Sequence, residues 1–190
     1  MWTFTRDLIR AYRRYDPATK SRLEIFFLYP GVKAVISHKF SHKLHQMGLP
    51  FFPRALSEFT RFLTGIDIHP GATIGKNLII DHGMGVVIGE TAHIGNDCII
   101  YQGVTLGGVD LNPVKRHPTL KDNVVVGAGA KILGNITIGE FSRIGANSVV
   151  VKSVPPNSTA IGIPARIMGE DHGGVRPGEE LKHDQIESKE

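Results

Sequence analysis

The sequence predicts a mainly β fold: a parallel β-helix of hexapeptide repeats behind an N-terminal α-helical cap domain. Three observations carry this. One branched aliphatic residue recurs every six positions, at Ile68, Ile74, Ile80, then Ile88, Ile94, Ile100, Leu106, then Leu120, Val126, Ile132, Ile138, Ile144 and Val150. Four places after most of these stands a small or β-branched residue, such as Ala72, Ala92, Cys98, Val104, Ala130 or Ser148. Before Ile66 the six-residue period is absent and the chain reads as helices.

The helical part, residues 1–65, divides at its turn formers. Asp16-Pro17 reads as a helix start with proline at the first helical position, with an apolar face of Leu23, Phe26, Phe27 and Tyr29. Pro30-Gly31 breaks the chain, Val32 to Met47 forms the next helix and Gly48 stops it. Pro53 to Leu63 forms the last, with Leu56, Phe59, Phe62 and Leu63 as its apolar face and Gly65 as its stop. This cap is expected to cover the open end of the coil stack, because a bare sheet end is adhesive.

The β-helix is expected over residues 66–168. A period of six fits neither a helix face nor a lone strand; it fits short strands joined by corners, three hexads to a coil, coils stacked ~4.8 Å apart. Thirteen regular positions give about four coils, above the three or so repeats such a stack needs. Glycines after the aliphatic residue, such as Gly75, Gly89 and Gly127, read as corner residues with positive φ. A β-sandwich would show looser spacing and turn signals every 8–12 residues. The stack is expected to end near Val154-Pro155-Pro156, with 161–168 running outside it and residues 169–190 forming a flexible tail.

Composition sets bounds. The 190 residues are 41% hydrophobic and 21% charged, the balance of a soluble globular chain. No apolar run nears the ~20 residues that span a bilayer, and the first residues lack a signal-peptide core. The single cysteine, Cys98, excludes an internal disulfide, and a cytoplasmic location is expected. Net charge is +4 but uneven: residues 1–64 carry eleven Lys/Arg against four Asp/Glu. These lie on amphipathic helices without aromatic stacking motifs, so neither nucleic acid nor membrane is the expected partner.

The count of six slips twice, and each slip carries a histidine. The first, between Ile80 and Ile88, holds Asp81-His82; the second, between Leu106 and Leu120, holds Arg116-His117 in a polar loop, 107–119, expected to protrude. A carboxylate on one imidazole nitrogen fixes the tautomer and stabilises the cation formed when the other takes a proton. Asp67 is fourteen residues before Asp81, close enough to one coil to approach it. A poised histidine can deprotonate a hydroxyl attacking an acyl group. Arg116 offers a planar fork for a carboxylate, and His117 could bind substrate or steady an oxyanion. Against this stand plainer readings: loop histidines are usually only solvated, and Arg116 could simply pin its loop to an acid. Glu90 could orient a catalytic group or face solvent. His38, His42 and His45 share a helix face but lack an acidic or cysteine partner; they read as packing or surface residues, and no metal is expected.

Asp67-Ile-His-Pro-Gly, Ile80-Asp-His-Gly-Met-Gly-Val-Val-Ile-Gly-Glu-Thr, Gln102-Gly-Val-Thr-Leu-Gly-Gly, Arg116-His-Pro-Thr, Gly127-Ala-Gly-Ala-Lys-Ile-Leu-Gly and Gly162-Ile-Pro-Ala-Arg together resemble the serine O-acetyltransferases, over about residues 16–168. The resemblance implies a left-handed β-helix, an exception to right-handed crossovers. It implies transfer of acetyl from acetyl-CoA to L-serine, giving O-acetylserine for cysteine biosynthesis. By it His82 is the general base and Asp67 its partner; Asp16, Asp81, Arg116 and His117 hold serine; Gly108, Ala128 and Ala146 line the CoA groove. It implies L-cysteine as a feedback inhibitor and a homotrimer with sites between neighbours. The helical region is short for the family, so a bare trimer is the first expectation and a dimer of trimers stays open. Val109 to Lys115 lacks the Gly- and Lys-rich run often found before Arg-His-Pro. The chain ends in Glu190 where long members dock a terminal isoleucine into the O-acetylserine-using enzyme, so that complex is not expected. Three other readings stay open: an acetyltransferase for a sugar or another hydroxyl acceptor, a zinc-dependent hydration of carbon dioxide, and a non-catalytic binding subunit.

Overall fold

The computed structural model describes residues 2–170. Four helices come first: α1 (Trp2–Tyr15), α2 (Arg22–Leu28), α3 (Pro30–Gln46) and α4 (Phe52–Thr64). The chain then coils. The first coil holds β1 (Asp67–Ile68), β2 (Thr73–Ile74) and β3 (Ile79–Ile80), and the second β4 (Val87–Ile88), β5 (His93–Ile94) and β6 (Ile99–Ile100). The third holds β7 (Thr105–Gly107), β8 (Thr119–Leu120) and β9 (Val125–Val126), and the fourth β10 (Lys131–Leu133), β11 (Thr137–Ile138) and β12 (Arg143–Ile144). A fifth is built from β13 (Val149–Val150), a bridge of Val154 to Ile138, and β14 (Ser158–Ile161). Strands of successive coils pair in parallel, giving three faces: β1-β4-β7-β10-β13, β2-β5-β8-β11, and β3-β6-β9-β12-β14. The stack therefore runs past the prolines where the sequence suggested an end. After Ile161 the chain reverses, and β15 (Arg166–Glu170) pairs antiparallel with β14. Of the tail expected at 169–190, residues 171–190 lie outside the described residues.

The periodicity becomes core. The aliphatic positions point inward, with Ile80, Ile88, Ile100, Leu106, Leu120, Val126, Ile132 and Ile138 all buried, and the small inward positions Ala72, Ala92, Cys98, Ala130 and Ser148 are completely buried. Burial pushes the Cys98 thiol pKa up to about 12, as for an inert core filler.

The corner glycines work differently from the expectation. Gly75, Gly89 and Gly127 are not among the positive-φ residues. They are required by close approach between coils: a Cβ on Gly75 would lie 2.6 Å from the Gly95 carbonyl oxygen, and one on Gly127 would lie 2.7 Å from the Ala146 nitrogen. Left-handed backbone falls instead on Asn77, Asp97, Asn123, Phe141 and Asn157, stacked along one corner by backbone bonds such as Asp97 N–H to the Lys76 carbonyl (2.9 Å). Asn and Asp tolerate that region better than other residues with a Cβ.

The helices close the open edge of the first coil. Tyr12 accepts from Ile80 N–H (2.8 Å) and donates to the Ile80 carbonyl (3.2 Å), doing with one hydroxyl what a neighbouring strand would do. Ser57 donates to the Ile68 carbonyl (2.6 Å), His38 Nε2 meets the Ala72 carbonyl (3.1 Å) and His42 Nδ1 meets the Pro70 carbonyl (2.8 Å). Each such group left bare in a buried place would cost about 1–3 kcal/mol. Two of the three helix-face histidines are thus edge caps, and among the described residues no group of His, Cys, Asp and Glu could hold a metal ion.

Two helix expectations need correcting. Asp16-Pro17 does not start a helix; it forms the turn after α1, and α2 starts at a capping box in which Ser21 Oγ accepts from Glu24 N–H while Glu24 returns to Ser21 N–H. The apolar faces read from α2 and α4 are also not the buried ones. Ile25 is buried while Leu23 and Phe27 are exposed, and α4 buries Pro53, Ser57, Thr60 and Thr64 while Phe59, Phe62 and Leu63 face outward. Helix α4 turns hydroxyls inward: Ser57 caps the Ile68 carbonyl of the coil, while Thr60 and Thr64 donate to carbonyls of their own helix. No described helix is long and apolar enough to cross a membrane.

Candidate active site

The first interruption lies where the third face turns into the first. Other turns at this corner, 101–104, 127–130 and 145–148, use four residues; this one, 81–86, uses six. Asp81 remains in register with the coil above, its N–H bonded to the Ile100 carbonyl at 2.9 Å. Gly103 N–H meets the Met84 carbonyl as Gly129 N–H meets that of Gln102, so the inserted pair is His82-Gly83. His82 is exposed and has φ 57°, a left-handed backbone costly for histidine and of the kind that collects at working sites. Its N–H is tied to Asp81 Oδ1 at 3.0 Å.

Acids and phenols gather here. Tyr15, the last residue of α1, places its hydroxyl 3.1 Å from Asp81 Oδ2 and 2.6 Å from the Tyr101 hydroxyl. Asp16 follows in the turn: its Oδ1 accepts from Ala18 N–H (2.8 Å) and its Oδ2 from the Tyr29 hydroxyl (2.5 Å). Desolvation, then hydrogen bonding to Tyr101 and the Asp81 charge, raise the Tyr15 pKa. Tyr29 is pushed up to about 12 by desolvation, the Asp16 hydrogen bond and the Asp16 charge, with a smaller push from Asp81. Both phenols therefore stay protonated donors. Sequence reasoning missed Tyr15, Tyr29 and Tyr101; the one available signal was that Tyr15 adjoins Asp16.

Asp67 lies on the strand beside the inserted corner, whose Gly85 N–H bonds the Gly65 carbonyl at 2.9 Å. Its partner across the sheet is Val87, and its carboxylate turns to Arg61, 3.6 Å away.

The second interruption lies where the first face turns into the second. Residues 108–114 stand exposed and 115–118 return to the coil, with His117 buried. His117 Nδ1 accepts from Thr91 N–H (3.2 Å), which leaves the neutral ring's proton on Nε2 as a donor. The Thr91 hydroxyl also accepts from the N–H groups of Arg116 (3.0 Å) and His117 (3.1 Å). Burial, then the neighbouring Arg116, lower the His117 pKa and keep the ring neutral. Arg116 Nη2 pairs with Glu90 Oε2 at 3.0 Å, and this hydrogen bond lowers the Glu90 pKa. The expected pinning of Arg116 to an acid is therefore present, yet its buried Nε has no partner among the described residues. Gly89 leaves the space the His117 ring fills, and a Cβ on Gly108 would lie 3.2 Å from His117 Nε2. Ala128 and Ala146 lie farther along the His82 edge, stacked through Asn147 N–H to the Ala128 carbonyl (2.8 Å), and leave it shallow.

The structure thus brings Asp16, Asp81 and His82 together at one corner, and Gly108, Arg116 and His117 at another. One face of the coil separates them, on the order of 15–20 Å at strand rise. Within one protomer the two imidazoles therefore stand at different corners of the coil.

Comparison with known proteins bears on this arrangement. Residues 117–152 match the family model described as bacterial transferase hexapeptide (six repeats). The chain is 56% identical over 170 residues to the serine acetyltransferase of Mycobacterium tuberculosis, covering 90% of this chain and 74% of that one. Its fold matches the crystal structure of Neisseria gonorrhoeae serine acetyltransferase in complex with serine, with TM-score 0.82 and 40% identity over 86% of this chain and 67% of that one. It also matches the Brucella abortus enzyme in complex with coenzyme A, with TM-score 0.85 and 42% identity over 89% and 68% of the two chains. The three-faced coil is accordingly a left-handed β-helix behind a helical N-terminal region. Identity above one half, sustained over nine-tenths of the sequence, means that the chain belongs to the serine acetyltransferase family.

Proposed function

We propose that the protein transfers acetyl from acetyl-CoA to the hydroxyl of L-serine, at sites shared by neighbouring protomers of a trimer. The observation that carries this is the opposite character of the two interrupted corners. One offers carboxylates Asp16 and Asp81 beside an exposed histidine, and the other offers Arg116 and a neutral imidazole. A zwitterion fits between them, its ammonium on the acids and its carboxylate on the guanidinium. Packing around a threefold axis sets the acid corner of one protomer against the basic corner of the next.

In this site His82 takes the serine hydroxyl proton as the oxygen attacks the thioester carbonyl. Asp67, released from Arg61, orients the ring and stabilises its cation. His117 Nε2–H from the neighbour donates to substrate or to the oxyanion. The new C–O bond forms, the C–S bond breaks, and the CoA sulfur leaves with the proton that His82 returns. Gly108, Ala128 and Ala146 are the small residues over which the CoA chain would lie. L-cysteine, which keeps the ammonium and carboxylate of serine, would compete for the same seat. The test is thiol release from acetyl-CoA: L-serine should drive it, and glucosamine or a simple alcohol should not. Release independent of the amino acid would refute the reading.

A further inference from the structure

Tyr15, Tyr101 and Tyr29 belong to no role yet given, although the hydroxyls of Tyr15 and Tyr29 contact the two acids that face the amino acid and that of Tyr101 contacts Tyr15. Asp81 and Tyr101 occupy equivalent places in the first and second coils, since Ile80 is in register with Ile100. Helix α1 drives the Tyr15 hydroxyl between them, 3.1 Å from Asp81 Oδ2 and 2.6 Å from the Tyr101 oxygen. Each hydroxyl has one proton. Tyr15 therefore donates to the carboxylate and Tyr101 donates to Tyr15, a two-step chain ending on Asp81. The other Asp81 oxygen accepts from His82 N–H at 3.0 Å. Asp16 is held in the same manner, by the Tyr29 hydroxyl at 2.5 Å on one oxygen and Ala18 N–H at 2.8 Å on the other. The Tyr29 ring packs edge-on to Tyr12 at 5.8 Å, and Tyr12 is bonded to Ile80, the residue before Asp81.

We propose that Tyr15, backed by Tyr101, and Tyr29 are positioning residues that aim Asp81 and Asp16 at the substrate ammonium, making the site selective for an α-amino acid over a hydroxy acid. The inference rests on the serine reading above. Each carboxylate oxygen has two lone pairs, and one phenol uses one of them, so acceptors remain for an ammonium. A tyrosine suits the task better than a lysine or arginine. It orients the carboxylate without bringing a positive charge that would repel the ligand. It also holds the acid on the helical cap as well as on the coil, so the seat is assembled only when the cap is docked.

The test separates ammonium recognition from general integrity. The KM for L-serine and the KM for acetyl-CoA are measured with the unmodified protein and with Tyr15→Phe, Tyr29→Phe and Tyr101→Phe. The competitive inhibition constant of 3-hydroxypropionate, which keeps the hydroxyl and carboxylate of serine but lacks its ammonium, is measured alongside. Losing the hydrogen bond that orients a charged group should raise the serine KM about tenfold in Tyr15→Phe and Tyr29→Phe, and less in Tyr101→Phe, whose partner still reaches Asp81. The inhibition constant of 3-hydroxypropionate and the KM for acetyl-CoA should move less than about twofold, because neither uses the acids. Equal weakening of serine and 3-hydroxypropionate, or no change in either, overturns the inference while the serine reading stands. Absence of serine-dependent thiol release in the unmodified protein overturns both. Tyr29→Phe and Tyr15→Phe break separate hydrogen bonds, so if one variant misfolds the other still decides.

Discussion

The first interruption of the hexad adds two residues and stays within the coil; the second adds eight and leaves it before returning. Their contents differ as much as their lengths. The short one displays an exposed histidine on left-handed backbone, with acids anchored by phenols from the helical cap. The long one tucks its histidine against Thr91 and balances its arginine with Glu90. A six-residue repeat tolerates both because insertion at a corner leaves the inward register of the next strand intact, as the pairings Ile68 with Ile88 and Leu106 with Ile132 show. On the proposed mechanism labour is divided between them: the histidine that gains and loses a proton is the exposed one, and the one that stays a neutral donor is buried.

The sharpest way to break this contrast is to remove one imidazole at a time. His82→Ala should lower kcat by a factor of about 10² or more, the scale of lost general-base catalysis, with a far-ultraviolet spectrum like that of the unmodified protein. Turnover within a few-fold of normal would take the base role away from the short corner.

Next in size is a complementation between corners. His82→Ala and Arg116→Ala protein, each of low activity alone, would be unfolded, mixed in equal amounts and refolded. If one protomer supplies the acid corner and its neighbour the basic corner, random trimers regain about a quarter of their sites intact. If both corners serve one site within a protomer, mixing regains nothing.

How much of this was legible in the sequence depends on the range of the interactions. The coil, its inward residues and both interruptions follow from a period that each hexad repeats locally, so Ile68 to Val150 could be read by counting. The two histidines stood out because they broke that count. Tyr15, Tyr29 and Tyr101 broke nothing, and their roles depend on where α1 docks against the coil, a contact 66 residues away in sequence for Tyr15 and Asp81. Helix α4 was read with its apolar side inward because burial usually selects that side. The opposite holds here, since α4 turns Ser57 to the Ile68 carbonyl of the first coil and folds the Thr60 and Thr64 hydroxyls back onto its own carbonyls. Asp67 shows the same limit: strand stacking sets it beside Val87, but its carboxylate reaches Arg61 on α4, a contact that the coil period does not encode.

A smaller effect separates the two residues of the long corner. Arg116→Lys keeps a charge but loses the planar fork that can hold Glu90 and a carboxylate together. It should raise the KM for serine by about tenfold with kcat little changed, the value of a charge-assisted hydrogen bond. Glu90→Gln should move KM in the same direction by less, because the arginine stays but its aim loosens. Equal falls in kcat for both would mean that Arg116 acts on the transition state, not on the carboxylate.

The mildest prediction concerns the cap on which the acid corner depends. His38 is buried, bonds the Ala72 carbonyl through Nε2 and leaves Nδ1 without a partner among the described residues. Burial, with smaller pushes from His42, Lys39 and His69 outweighing the Ala72 hydrogen bond, lowers its pKa from 6.5 to about 3. Between those values the unfolded chain holds a proton at this site and the folded one does not. Stability from His38 is therefore complete above pH 6.5 and is lost as pH falls toward 3, by at most about 1.4 kcal/mol per pH unit. Urea unfolding at pH 7 and pH 5 reads this directly. His38→Gln, which can still donate to Ala72, should be less stable than the unmodified protein at pH 7, yet lose less on moving to pH 5. If the two proteins lose stability in parallel, His38 does not bind a proton on unfolding, and the acid sensitivity of the cap lies in its carboxylates instead.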